Sequence, residues 1–200
     1  MNLVTSDGLT LEAVLDEPDA DATGAVVLCH PHPQMGGSMH APFLEVVAGA
    51  LCRSGLRVLR FNTRGTGGSE GAFGGGTEEA KDLEAACNAF EGTPTALAGW
   101  SFGARLVMAH AAQSGAPAVL FAPVLREGSG MPPLARPHGP VLPVVGARDQ
   151  FVSAAAVEEF FGVAPVVLPG CDHFFIGRFG EQAAEAAASF LTQEFSPATS

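Results

Sequence analysis

The sequence predicts an α/β fold built on a mostly parallel sheet flanked by helices. Two observations carry that prediction. Short runs dominated by apolar residues alternate with longer amphipathic stretches, and glycines stand where a stretch gives way to the next run. The side chains best suited to chemistry fall just after apolar runs, where a parallel sheet opens its carboxyl edge.

Taken in order, residues 2–17 predict a hairpin, with Ser6-Asp7-Gly8 as the turn and Leu9, Leu11, Ala13 and Leu15 alternating after it. The acidic, turn-prone segment 18–24 ends that pattern. Strands are then expected at 25–29, 56–61, 95–98, 118–122, 141–145 and 166–168, each too short for a typical helix. Helices are expected between and after them at 42–54, 77–91, 102–114, 153–161 and 180–195. In the second, Ala80, Leu83, Ala86, Cys87 and Phe90 share one face, leaving Glu79, Lys81, Asp82 and Glu84 to the polar side. Gly55 and Gly115 suit left-handed caps that release the chain into the next strand. An alternating βαβα order of this kind gives a parallel sheet covered by helices.

The 200 residues fit a single domain, 1–200, ending in a frayed tail over 196–200. Apolar residues make up 47% and charged residues 16%, which excludes a disordered chain. A net charge of −11 argues against nucleic acid or an anionic membrane as partner, since both require clustered Lys and Arg. The first residues carry no basic or apolar leader, and no apolar run approaches the ~20 residues of a membrane span. Cys29, Cys52, Cys87 and Cys171 are scattered, with no Cys-x-x-Cys pair, which suits a reducing compartment. A cytoplasmic location is therefore expected.

Gly99-Trp100-Ser101-Phe102-Gly103 follows one apolar run and opens a helical stretch. This is the strand–turn–helix setting of a nucleophile elbow. A serine on so tight a turn needs neighbours two residues away on either side without bulk, and Gly99 and Gly103 supply that. A serine hydroxyl needs a base, and the base needs an orienting acid. Asp149 follows the run 141–145, and His173 follows the run 166–168, so both can reach the same sheet edge as Ser101. Glu127, after the run 118–122, is the rival acid. Phe174 and Phe175 would shelter His173 and favour the neutral imidazole that a base requires.

His30-Pro31-His32-Pro33 ends the run 25–29, in the loop from which such a site takes its second oxyanion donor. Pro31 and Pro33 have no N–H, so the backbone of His32 is the candidate, with the Phe102 N–H as the first donor. A competing reading makes His30 and His32, with His40 or Cys29, a metal site. No Asp or Glu lies between Asp21 and Glu45 to support it, so the sequence favours no metal and hydrogen bonding within the loop for His30. The glycine-rich stretch 65–71 lacks Gly-Lys-Ser/Thr, which leaves a compact turn rather than a phosphate cradle.

The combination of His30-Pro31-His32-Pro33, Gly36-Gly37-Ser38-Met39, Arg60-Phe61-Asn62-Thr63-Arg64-Gly65, Gly68-Ser69-Glu70-Gly71, Gly99-Trp100-Ser101-Phe102-Gly103, Asp149 and His173-Phe174-Phe175 resembles the bacterial α/β-hydrolase superfamily. It is most similar to the small, capless, dienelactone-hydrolase-like members, from about residue 24 to 191. The resemblance implies an eight-stranded sheet without a cap domain. It also implies Ser101 as nucleophile, Asp149 as acid, His173 as base, and Phe102 and His32 as oxyanion donors; the mechanism of such a triad needs no cofactor. Dienelactone hydrolases use a cysteine nucleophile where this chain has Ser101, so their substrate does not carry over. Too few residues separate 122 from 141 for a helical lid, so an open, shallow site for a small ester is expected. Met35, Phe102, Phe151, Phe174 and Phe175 would line its acyl pocket. Thioester, lactone or acyl-transfer chemistry, or binding without catalysis, are the other readings of the same triad.

Overall fold

A computed structural model describes residues 1–128 and 130–196. Eight strands form one sheet: β1 (Asn2–Val4), β2 (Thr10–Asp16), β3 (Gly24–Cys29), β4 (Leu56–Phe61), β5 (Thr95–Trp100), β6 (Ala118–Phe121), β7 (Val141–Gly146) and β8 (Val166–Leu168). Their spatial order is β1-β2-β4-β3-β5-β6-β7-β8. β1 pairs with β2 and β2 with β4 antiparallel, and every other pairing is parallel. The N-terminal hairpin thus caps one edge of a parallel sheet. Leu3 stands opposite Leu11 in that hairpin and both are buried, whereas Leu15 lies at the surface.

Five α-helices connect or follow the strands: α1 (Pro42–Arg53), α2 (Glu79–Asn88), α3 (Phe102–Ser114), α4 (Ala154–Phe161) and α5 (Arg178–Phe195). α1 packs against α5, and α2 against α3, so two helical layers enclose the sheet. β3, at the centre, is buried along its whole length, which explains its unbroken apolar sequence. Gly115 closes α3 in the left-handed conformation with its N–H on the Ala111 carbonyl, the glycine cap the sequence predicts.

The helices lie where the amphipathic stretches put them, with one difference of substance. α2 is shorter than the predicted 77–91, and two of its expected surface carboxylates are wholly buried. The Glu79 carboxylate accepts the Gly74 and Gly76 N–H groups at 2.6 and 2.9 Å. Asp82 accepts the Arg64 backbone N–H at 2.8 Å and pairs with its guanidinium at 2.7 Å. A helical period counts a carboxylate as solvent-facing, but here the turn just before α2 compensates the burial of Glu79, and Arg64 from a more distant loop that of Asp82. The stretch 65–71 is the compact turn expected of it, closed by the Gly65 N–H on the Glu70 carbonyl. No described helix is long and apolar enough to cross a membrane. The expected tail lies, beyond Ser196, outside the described residues.

Candidate active site

The carboxyl edge of the sheet gathers the predicted residues from four loops. Ser101 sits between β5 and α3 with φ 55° and ψ −106°, a conformation that L-residues adopt only when their surroundings impose it. The glycines around it explain how the turn closes. A Cβ on Gly99 would collide with the Gly103 backbone, and one on Gly103 with the carbonyl oxygens of Cys29 and His30 at the end of the neighbouring strand β3. Elbow and central strand are therefore in backbone contact, which no residue larger than glycine allows.

His173 reaches the elbow from the loop after β8, with Nε2 3.0 Å from Ser101 Oγ. Its Nδ1 lies 2.8 Å from Asp149 Oδ2. The carboxylate can only accept, so Nδ1 carries the proton and Nε2 is free to accept from the serine hydroxyl. The second oxygen of Asp149 accepts the Phe151 and Val152 N–H groups at 2.8 and 3.0 Å, which fixes the carboxylate, and its side chain is fully buried. Trp100, inside the elbow, donates its indole N–H to the His173 carbonyl at 3.0 Å and anchors the histidine loop to the strand end. The rival acid, Glu127, faces Arg105 at 3.4 Å with its side chain 70% exposed, and it is Asp149 that meets the imidazole.

The loop after β3 carries two histidines with different tasks. The His30 Nε2 accepts the Thr63 N–H at 3.1 Å, so its Nδ1 must hold the proton, which it donates to the Pro31 carbonyl at 2.6 Å. Burial pushes its pKa down to about 4. His32 instead caps the short 3₁₀ turn Pro33–Met35, its Nδ1 accepting the Gln34 N–H at 3.2 Å. Its Nε2–H then donates to the Gly130 carbonyl at 3.1 Å. Both rings are thus committed to hydrogen bonds within the chain. The metal reading offered His40 or Cys29 as a further ligand, and burial raises the Cys29 thiol's pKa well above its ordinary value. The His32 ring packs 5.0 Å from that of Phe102, so the two residues carrying the candidate oxyanion donors are neighbours. Phe102 opens α3, where an N–H has no partner within the helix.

Arg105 was not singled out from the sequence. It is wholly buried on the first turn after Ser101 and donates to the Val124 and Arg126 carbonyls at 2.9 and 3.2 Å. It also donates to the Pro132 carbonyl. This one guanidinium ties the loop after β6 to the nucleophile helix. Its signal was present: it is the one charged residue in the otherwise apolar start of α3, Phe102-Gly103-Ala104-Arg105-Leu106-Val107-Met108-Ala109.

A cavity of about 940 Å³ opens over Ser101 and His173, lined among others by Phe43, Val46, Val124, Met131, Phe151 and Phe174. The loop after β6 carries no helix among its described residues, as expected without a lid. The site is nevertheless roomy rather than shallow, because the starts of α1 and α5 wall it on one side and the Arg105-tied loop on the other. Of the predicted lining, Met35, Phe151 and Phe174 stand at the rim. Phe175 is buried and stacked on Phe43 at 4.7 Å, so it forms the cavity floor. Phe102 is fully buried and is absent from the cavity wall.

A family model described as serine aminopeptidase, S33, matches residues 20–141. The chain belongs to this family. The match includes the elbow serine and ends before Asp149 and His173. Among solved structures, an α/β serine hydrolase homologue from Coxiella burnetii is 30% identical, with a TM-score of 0.83 over 94% of this chain and 95% of that one. An α/β serine hydrolase without a lid, from Xanthomonas campestris, is 28% identical at a TM-score of 0.83, over 100% of this chain and 95% of its own. An uncharacterised protein from Rickettsia prowazekii is 39% identical over 89 residues, which span 42% of this S33-family chain but only 37% of that protein's length. This S33-family chain therefore has the α/β-hydrolase fold in its capless form.

Proposed function

We propose that the chain hydrolyses carboxylic esters through an acyl-enzyme on Ser101. The observation that carries this reading is the continuous hydrogen-bonded line Ser101–His173–Asp149, with contacts of 3.0 and 2.8 Å. His173 takes the Ser101 proton as Oγ attacks the carbonyl carbon, and Asp149 holds the imidazole in the tautomer that makes this possible. The N–H groups of Phe102 and His32 receive the oxyanion, assisted by the positive end of α3. His173 returns the proton to the departing alcohol, and water activated by the same ring releases the acid. Met35, Phe151, Phe174 and Phe175 contact the substrate. The chemistry requires no metal or organic cofactor.

The test is covalent labelling with a fluorophosphonate, followed by a panel of esters, thioesters, lactones and aminoacyl amides. The expected result is a single adduct on Ser101, none in S101A, and fastest turnover of esters. An unlabelled wild-type protein would favour a binding protein on this fold. Labelling with faster turnover of aminoacyl amides would favour the peptidase activity named in the family's description.

A further inference from the structure

The proton path fixes which part of a substrate lies beside which residues. His173 must deliver a proton from Nε2 to the departing oxygen, so that oxygen comes within about 2.6–3.2 Å of the ring. The body of the leaving group therefore sits against the imidazole. Two exposed aromatic rings stand there, both edge-on, Phe151 at 4.9 Å and Phe174 at 5.7 Å from the His173 centroid, with the buried Trp100 at 6.3 Å. Phe151 and Phe174 remain 53% and 48% exposed.

This exposure is concentrated. Of the ten large hydrophobic residues exposed among the described residues, five (Met35, Val46, Phe151, Phe174 and Ile176) line the one cavity over Ser101. An apolar surface left in water beside a reactive serine awaits an apolar ligand. The charged side chains of the lining, Arg126, Glu127 and Glu181, come from the loop after β6 and the start of α5, not from the segments flanking His173. At about 940 Å³ the cavity is near the upper end of the ~300–1,000 Å³ range of ligand sites, with room for both halves of an ester.

We propose that the site selects esters whose leaving alcohol carries an aromatic ring, held between Phe151 and Phe174. The inference rests on the ester-hydrolase reading and names its substrate class. In the step concerned, Ser101 Oγ bonds to the carbonyl carbon and the bond from that carbon to the leaving oxygen breaks. The serine proton travels through His173 Nε2 to that oxygen, and the aromatic alcohol departs.

The test fixes the acyl group as acetate and varies the alcohol among benzyl, ethyl, glyceryl and choline, so that acyl recognition is constant. Benzyl acetate should exceed ethyl acetate in kcat/KM by about tenfold or more, the scale on which an apolar pocket discriminates. F151A and F174A should each lower that ratio about three- to tenfold, the value of an aromatic contact. V163A, at an exposed hydrophobe outside the cavity, should leave the ratio unchanged. Equal rates for benzyl and ethyl, a preference for glyceryl or choline, or a ratio unmoved in the F151A/F174A double variant would each overturn the inference. Labelling of Ser101 without a leaving-group preference sinks this inference alone, whereas absence of both labelling and hydrolysis sinks the ester-hydrolase reading and this inference with it.

Discussion

Two parts of the cavity wall are built differently. On one side, the loops after β3 and β6 are tied by polar groups: the buried Arg105 holds three carbonyls of the latter loop, and the half-buried His32 joins the Gly130 carbonyl to the 3₁₀ turn. On the other side, Phe151, Phe174 and Ile176 stand about half exposed or more, with no polar tie on their side chains. The difference follows from what each side handles. Charge that develops during reaction must meet donors placed in advance, and a displacement of about 1 Å can cost about 10²-fold in rate. An apolar leaving group is held by a non-directional force that tolerates such displacements. The held polar groups should therefore govern rate and stability, and the exposed rings should govern choice of substrate.

The largest effect is expected at Asp149, which lies on the segment that carries Phe151 and is itself held by three hydrogen bonds. D149N keeps the shape but leaves the imidazole in the wrong tautomer, and kcat should fall about 10⁴-fold with an unchanged far-ultraviolet circular dichroism spectrum. E127Q should lose less than tenfold. The reverse pattern would reassign the acid.

Arg105 comes next. R105M leaves the Val124, Arg126 and Pro132 carbonyls without their donor, and each buried acceptor left unpaired costs about 1–3 kcal/mol. Partial hydration of the loosened loop limits the sum, so urea unfolding should show a loss of about 3–5 kcal/mol. R105K should recover little of it, because an ammonium group lacks the planar fork that spans several carbonyls. A variant within about 1 kcal/mol of wild type would show that the tied side is not held by this residue.

His30 offers a milder way to loosen the same side. Its folded pKa of about 4 lies below the ~6.5 of an unfolded chain, so the unfolded state binds the proton first as pH falls. The contribution of neutral His30 is then complete above about pH 6.5 and is lost progressively toward pH 4. Between pH 7 and 4.5 the loss should amount to about 2 kcal/mol, read as the difference between wild type and H30Q in urea unfolding. Asp7 and Glu12, held below the usual carboxylate range by hydrogen bonds, lose stability in the same direction at lower pH, and His110 has a burial-depressed pKa. All three are common to both proteins and cancel in that difference. Equal pH dependence in wild type and H30Q would remove His30 from this role.

The two sides also differed in how much the sequence disclosed. The triad was legible because each member follows an apolar run, and the carboxyl edge of a parallel sheet is the one place where such positions converge. The roles of Asp82 and Arg105 were not, because their partners come from loops whose path no periodicity encodes: Arg64 lies 18 residues from Asp82, and Val124 lies 19 from Arg105. The lengths of the apolar runs disclosed the strands to within a residue or two, as with 95–98 against Thr95–Trp100. Cavity depth escaped for another reason. It depends on how far the starts of α1 and α5 project beyond the sheet edge, a packing outcome that the short gap between 122 and 141 does not determine.

The smallest stability effect is expected at Phe151, and it separates the two designs most directly when set beside Phe43. Both side chains line the cavity. Phe43 is buried, stacked on Phe175 at 4.7 Å and edge-on to Trp100 and Phe121 at 5.4 and 5.0 Å, so F43A opens a core cavity and should cost about 3–5 kcal/mol. Phe151 is 53% exposed, so F151A should change the unfolding free energy by no more than about 0.5 kcal/mol. If F151A instead destabilised the chain as F43A does, the ring would be part of the packed framework. Its exposure would then no longer stand as a surface held open for a substrate.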